Sequence, residues 1–387
     1  MTTRFDKSRL EGPSRNLATG IVFAAGLFLS WLAFQSYRAD QIEQEDREFE
    51  FAANEIQKNI EGRIAANIQV LQSGAALFYA SESVSRRDWA TYVHNLKIDS
   101  FLPGTQGIGF ARSFDSLGRK AYEDGVHKEG FPDFQVRPAG VRSQYGVIHY
   151  LEPFTGRNLR AFGFDMYSEA TRRSAMSLAR DLNRTVLSGK VVLVQETNKD
   201  VQAGTLIYIP IYRKGARVAT VEQRRSALIG WVYSPYRMTD LMAGTLRHWD
   251  FRRKGHPITL EVYDGDSIKP SNLLFNSRSD TTPIHLARST TTKLHLAEHD
   301  WTLRISQEGH TITHEQIRNS WFVLFGGFSI SLLLAGLLHS LMSTRIQARK
   351  IAETLTRELR ESEETYRNQF ATNSSVMLLI DPETGAI

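Results

Sequence analysis

No cysteine occurs among the 387 residues of this chain. That absence excludes thiol nucleophiles, cysteine-ligated metals, disulfide staples and sulfur-based redox sensing. Proline is sparse, at 11 residues, and residues 38–80 contain none, so nothing there forces a helix to break. No G-x-S-x-G elbow is present, and Ser188-Gly-Lys190 lacks the upstream glycine of a phosphate loop. The formal charge is only +5, carried by scattered rather than clustered basic residues. Nucleic acid is therefore not an expected partner.

What the chain does have is two uncharged apolar stretches, residues 17–37 and 319–344, the second interrupted only by His339. Each is long enough to cross the roughly 30 Å hydrocarbon core as a helix, the form that satisfies its own backbone in lipid. Arg4, Lys7, Arg9 and Arg15 precede the first stretch, and Arg345, Arg349, Lys350, Arg357 and Arg360 follow the second. The inner flanks carry only Arg38, Arg47 and Arg318. The positive-inside rule then places both termini in the cytoplasm and residues 38–318 outside. The first stretch exceeds a signal peptide's apolar core and no clear A-x-A site follows, so it reads as an uncleaved anchor. The expected setting is a bacterial inner membrane with a periplasmic domain.

Between the anchors, Ile56, Ile60, Ile64, Ile68, Leu71, Ala75 and Phe78 recur every three or four residues. That is one face of a long stalk helix over 38–82, whose apolar stripe needs either its own domain or a second subunit. From Ser83 the texture changes to short helices, at 86–96, 169–181 behind an N-cap at Ser168, and 237–246. Strand candidates lie at 107–111, 148–151, 191–194, 205–212, 228–233, 258–262 and 301–305. Strands and helices without a regular βαβ period predict an α+β domain. The charged stretch 215–225 suggests a boundary, giving a membrane-distal subdomain over 83–215 and a membrane-proximal one over 216–318. Past the second anchor, residues 345–369 form a charged helical connector with Ile351, Leu355, Leu359 and Tyr366 roughly on one face. Residues 370–387 read as a strand entering the Asp381-Pro-Glu-Thr-Gly385 turn. A lone strand buries no core, so the chain reads as a piece of a longer protein.

Pro103-Gly-Thr-Gln-Gly-Ile-Gly-Phe-Ala-Arg112, Tyr150-Leu-Glu-Pro-Phe-Thr-Gly156, Phe162-Gly-Phe-Asp-Met-Tyr167 and Ile207-Tyr-Ile-Pro-Ile-Tyr212 stand in one order between the anchors, ending with Gly230-Trp-Val-Tyr233. This pattern resembles the CHASE family, extracytoplasmic sensors also found in plant cytokinin receptors. Glu361 through Gly385 resembles the opening of a PAS domain. The resemblance implies a stalk helix followed by two PAS-like subdomains, the distal one holding a small ligand, of the adenine type in the plant relatives. Carried onto this sequence, Asp165 would anchor the ligand, Thr197 would be the threonine near the following strand, and the apolar wall would include Phe110, Phe164, Leu187, Leu193 and Tyr208. The sequence departs from the plant receptors in lacking cysteines and in most pocket residues, so the adenine-type ligand does not carry over automatically.

Asp165 lies amid Phe162, Phe164, Met166 and Tyr167. A carboxylate there needs donors: a ligand N–H, or backbone N–H groups ahead of the next helix. His295-x3-His299 and His310-x3-His314 have helical metal spacing but fall where strands or the membrane edge are expected. No metal, cofactor or catalytic residue is assigned. The expected function is a homodimeric transmembrane receptor whose small-molecule signal reaches a histidine kinase or diguanylate cyclase. The competing reading is a membrane-anchored periplasmic enzyme.

Overall fold

A computed structural model describes residues 8–98, 102, 104–197, 200–249, 251, 257–278, 286–309 and 314–372. The chain divides into two units, residues 44–311 and the two terminal segments together.

Within residues 44–311, the first helix, α1 (Ser8–Ala80), contributes its apolar stripe. Ile56, Ile60, Ile64 and Leu71 are buried in the main hydrophobic core beside Trp89 and Phe110. The stripe that needed a partner finds it in its own domain. Helix α2 (Arg86–Leu96) opens with a capping box between Ser85 and Asp88, satisfying the first backbone donors. It leads to β1 (Ile108–Asp115), α3 (Arg119–Lys128) and β2 (Gln144–Glu152). Next come α4 (Ala170–Leu182), the short strands β3 (Val186–Leu187) and β4 (Val191–Val192), and β5 (Ala203–Tyr212). Helix α5 (Val221–Ala227), β6 (Leu228–Arg237) and α6 (Met238–Thr245) follow.

The antiparallel sheet runs β2-β1-β6-β5-β3, with β4 also on β5. Its register sorts the core. Leu151, Gly109, Tyr233 and Tyr208 form one cross-strand row, and Tyr150, Phe110, Val232 and Ile209 the next. Successive residues of a strand face opposite sides, so the first row meets α4 and the second meets α1 and α2. A second sheet, β8-β7-β10-β9, is built from β7 (Ile258–Asp264), β8 (Leu273–Asn276), β9 (Leu286–Leu296) and β10 (His299–Glu308). Its Leu260, Val262, Leu303 and Ile305 join the α1 core.

Two boundaries differ from the sequence reading. Strand β6 sits between β1 and β5, so the first sheet extends past the division placed at 215/216. The charged stretch is the α5 turn over that sheet, where Arg224 and Arg225 bond Asp181. The N-cap of α4 is Glu169, not Ser168: its carboxylate accepts from the N–H groups of Thr171 and Arg172, both at 2.9 Å. Ser168 Oγ instead donates to the Asp165 carbonyl at 2.6 Å.

The terminal unit pairs the first part of α1 with α7 (His314–Thr372). Both helices are long and apolar enough to cross a membrane. Gly26 faces Ser331 and Gly327 faces Ser30 in a reciprocal contact, flanked by the ring pairs Phe23–Phe328 and Phe34–Trp321. Each serine returns its Oγ–H to the glycine carbonyl four residues back, at 2.7 Å. On α7, Ile351, Leu355, Leu359 and Tyr366 are exposed in the single chain. Most of the expected PAS opening, residues 373–387, lies outside the described residues.

Candidate functional site

The α4 side of the first sheet carries a compact core of Ala111, Ile148, Leu193, Leu206, Tyr208, Trp231 and Tyr233, closed by Met166, Tyr167 and Met176. Tyr208 and Tyr233 are fully buried with ring centroids 6.3 Å apart, and burial pushes both phenols above their ordinary range. Tyr208 Oη reaches the Met166 sulfur, at 3.5 Å. Tyr233 Oη has no hydrogen-bond partner among the described residues. Gly109 makes room for this ring, since a Cβ there would stand 2.6 Å from it.

Arg172, almost wholly buried, enters the same core from α4. It donates to the Val192 carbonyl at 2.7 Å and to Glu169 at 3.2 Å, and lies 5.7 Å from the centre of the Phe164 ring. Asp165 is completely buried. Its Oδ1 accepts from the N–H groups of Gly146, at 2.8 Å, and Tyr167, at 3.1 Å, while Oδ2 lies 3.5 Å from Arg142 Nη1 without a hydrogen bond. Burial raises the carboxyl's pKa despite these two bonds and the nearby Arg142. Half of this carboxylate thus ties the segment before α4 to β2.

Of the residues expected at a site, Phe164, Leu193 and Tyr208 share this side, while Asp165 stands at the other end of β2, beside Gly146 and Arg142 rather than on the Leu151 row that holds Tyr233. Phe110 and Leu187 do not: both belong to the core with α1, where Phe110 packs on Phe78 at 4.4 Å. Thr197 is half-buried, next to Glu196 in the segment after the short strand β4. Arg237 holds that segment by donating to Glu196 at 2.6 Å and to Asp240 at 2.7 Å. Tyr233 was legible as a motif residue but not as a site residue, because nothing local reveals the register that sets it beside Tyr208.

Among the described histidines, His299 Nε2 meets Asp264 and His295 Nδ1 meets Asp300, each at 2.7 Å. The two imidazoles thus go to different carboxylates across a hairpin rather than one helical face. His310 lies outside the described residues.

Comparison with known proteins gives this geometry its context. Hybrid signal transduction histidine kinase A of Dictyostelium discoideum is 25% identical over 185 residues, 44% of this chain and 8% of that protein. The chain thus spans under a tenth of that relative's length. The periplasmic sensory domain of the Campylobacter jejuni chemoreceptor Tlp1 aligns over 70% of this chain and 95% of its own, at 9% identity and a TM-score of 0.40. Residues 82–275 match the CHASE domain, and the chain belongs to the CHASE family of signal-transduction sensors.

Proposed function

We propose that this chain is the sensory part of a two-pass membrane receptor, with residues 38–318 outside the cytoplasm and a small molecule as its stimulus. The ligand meets the α4 side of the first sheet, against Tyr208, Leu193 and Phe164, with Tyr233 and Arg172 as polar contacts. The observation that carries this reading is the buried Tyr233 hydroxyl without a protein partner among the described residues. A buried unpaired hydroxyl costs about 1–3 kcal/mol, and a ligand acceptor would remove that cost. The strand order of the first sheet supports a PAS-like subdomain. The CHASE match and the kinase relative support a signalling output of the histidine-kinase kind over a diguanylate cyclase, driven by the difference in ligand affinity between two receptor states.

The test is a thermal-shift screen of the full chain in lipid nanodiscs against adenine derivatives, amino acids, small acids and aromatic metabolites. Saturation at about 100 times Kd adds roughly 2.7 kcal/mol of stability. Tyr233→Phe is the discriminating variant, because it keeps the ring and removes only the unpaired hydroxyl. Its unliganded melt should be unchanged or raised, and its affinity for a hit should fall by about tenfold or more. If every hit is bound equally by Tyr233→Phe, this site is ruled out. Asp165→Ala is a poorer probe, since it strands two buried N–H groups whatever the ligand does.

A further inference from the structure

A second place on the domain has the make-up of a ligand site, on the far side of β2 from the α4 core. The segment between α3 and β2 folds Phe134 and Val136 onto Tyr145 and Val147, with Phe131 and Phe162 against them. Phe162 is the hub: its ring centroid lies 5.0 Å from Phe131, 4.8 Å from Phe134 and 5.3 Å from Phe154. Phe131, Phe134 and Phe162 line a surface cleft of about 510 Å³ with Arg137 and Asp133. That volume lies within the roughly 300–1,000 Å³ usual for small-molecule sites. Among the described residues Arg137 commits only Nη2 to protein, donating to the carbonyls of Arg160 at 3.0 Å and Phe162 at 2.9 Å. This fixes the guanidinium and leaves Nε and Nη1 available.

We propose that this cleft binds an aromatic α-amino acid, with the ring on the Phe131, Phe134 and Phe162 shelf, the carboxylate on Arg137 and the ammonium on Asp133. The lining supplies one fixed cation, one anion and an apolar aromatic floor, matching the three groups of such a zwitterion. The site also has a route to the long helix. The Arg86 guanidinium carbon lies 4.7 Å from the Phe131 ring centre and 5.0 Å from that of Phe162. Arg86 begins α2, whose Trp89 abuts Gly74 and whose Tyr92 bonds Ser73 on α1.

The test is isothermal titration of the full chain in nanodiscs with L-phenylalanine, 3-phenylpropionate, which lacks the amine, and phenethylamine, which lacks the carboxylate. Arg137→Gln should weaken L-phenylalanine and 3-phenylpropionate by about tenfold and leave phenethylamine within about twofold. Asp133→Asn, at an exposed side chain, should weaken L-phenylalanine and phenethylamine and spare 3-phenylpropionate. Tyr233→Phe should change none of the three, so failure here is separable from failure of the α4-side site. No saturable L-phenylalanine binding up to about 10 mM overturns the proposal. So does binding indifferent to both cleft variants, or binding lost in Tyr233→Phe.

Discussion

His149 is a buried base held in its neutral form. Burial is the largest cause, joined by the Arg86 and Arg112 guanidinium groups, and together they hold its pKa down to about 3. Glu129 lies 3.8 Å from Nε2 and would make an ion pair only with a protonated ring. Burial and two cations outweigh one half-exposed carboxylate, so near neutrality the contact is uncharged. The unfolded chain takes up this proton near the ordinary histidine value of about 6.5, and the folded chain does not. The stabilising contribution is therefore complete above that value and is lost progressively as pH falls toward 3, by at most about 1.4 kcal/mol per pH unit. The melting temperature of the full chain should fall between pH 7 and pH 5, and His149→Gln should flatten that slope; an equally steep slope in the variant would assign it to other groups. Asp165 works in the opposite sense. Its raised pKa makes the charged form a burden above the folded value, and protonation on acidification relieves it.

At the scale of elements, the apolar helix pair rests on two glycines. A Cβ on Gly26 would sit 2.7 Å from Ser331 Cβ, and one on Gly327 would sit 2.6 Å from Ser30 Cβ. Those atoms are fixed to their own backbones, so the helices would have to separate. Small-residue contacts of this kind let helices pack closely in lipid. The absence of native cysteine makes this measurable: a Phe23→Cys, Phe328→Cys pair should form an intrachain disulfide in membranes. Adding Gly26→Leu and Gly327→Leu should cut its yield several-fold, and an undiminished yield would mean that the glycines do not set the contact. The sequence made the existence of both helices readable through their missing charges, but not which faces meet. The same division holds in the sensor domain. The Ile56–Ile60–Ile64 period announced a buried face, and the pattern of 86–96 announced its helix. Phe110 and Leu187 face the α1 core rather than the α4 side, because a strand residue's side of the sheet depends on its register, set by partners far along the chain. The N-cap slipped by one residue because Ser168 and Glu169 are both competent cap acceptors, and the turn capped by Asp165 claims the serine.

For the whole molecule, the family was legible because its motif residues are largely the buried rows of one sheet. Phe110, Tyr208, Trp231 and Tyr233 all lie almost wholly inside it. The arrangement of the site was not legible, since Tyr208 and Tyr233 come together only through the pairing of β5 with β6. The division of the sensor was misplaced for the same reason: β6 returns between β1 and β5 after a charged turn that resembles a linker. In the proposed receptor, binding on the sensor domain alters the contact between the two apolar helices. The rate of disulfide formation in the Phe23→Cys, Phe328→Cys double variant is followed in native membranes with and without a saturating hit from the screen. A receptor should show at least about a twofold change in that rate, in proportion to occupancy, and Tyr233→Phe should lose it at the same ligand concentration. An unchanged rate at full occupancy would contradict this coupling, leaving a domain that binds a small molecule without signalling through these helices.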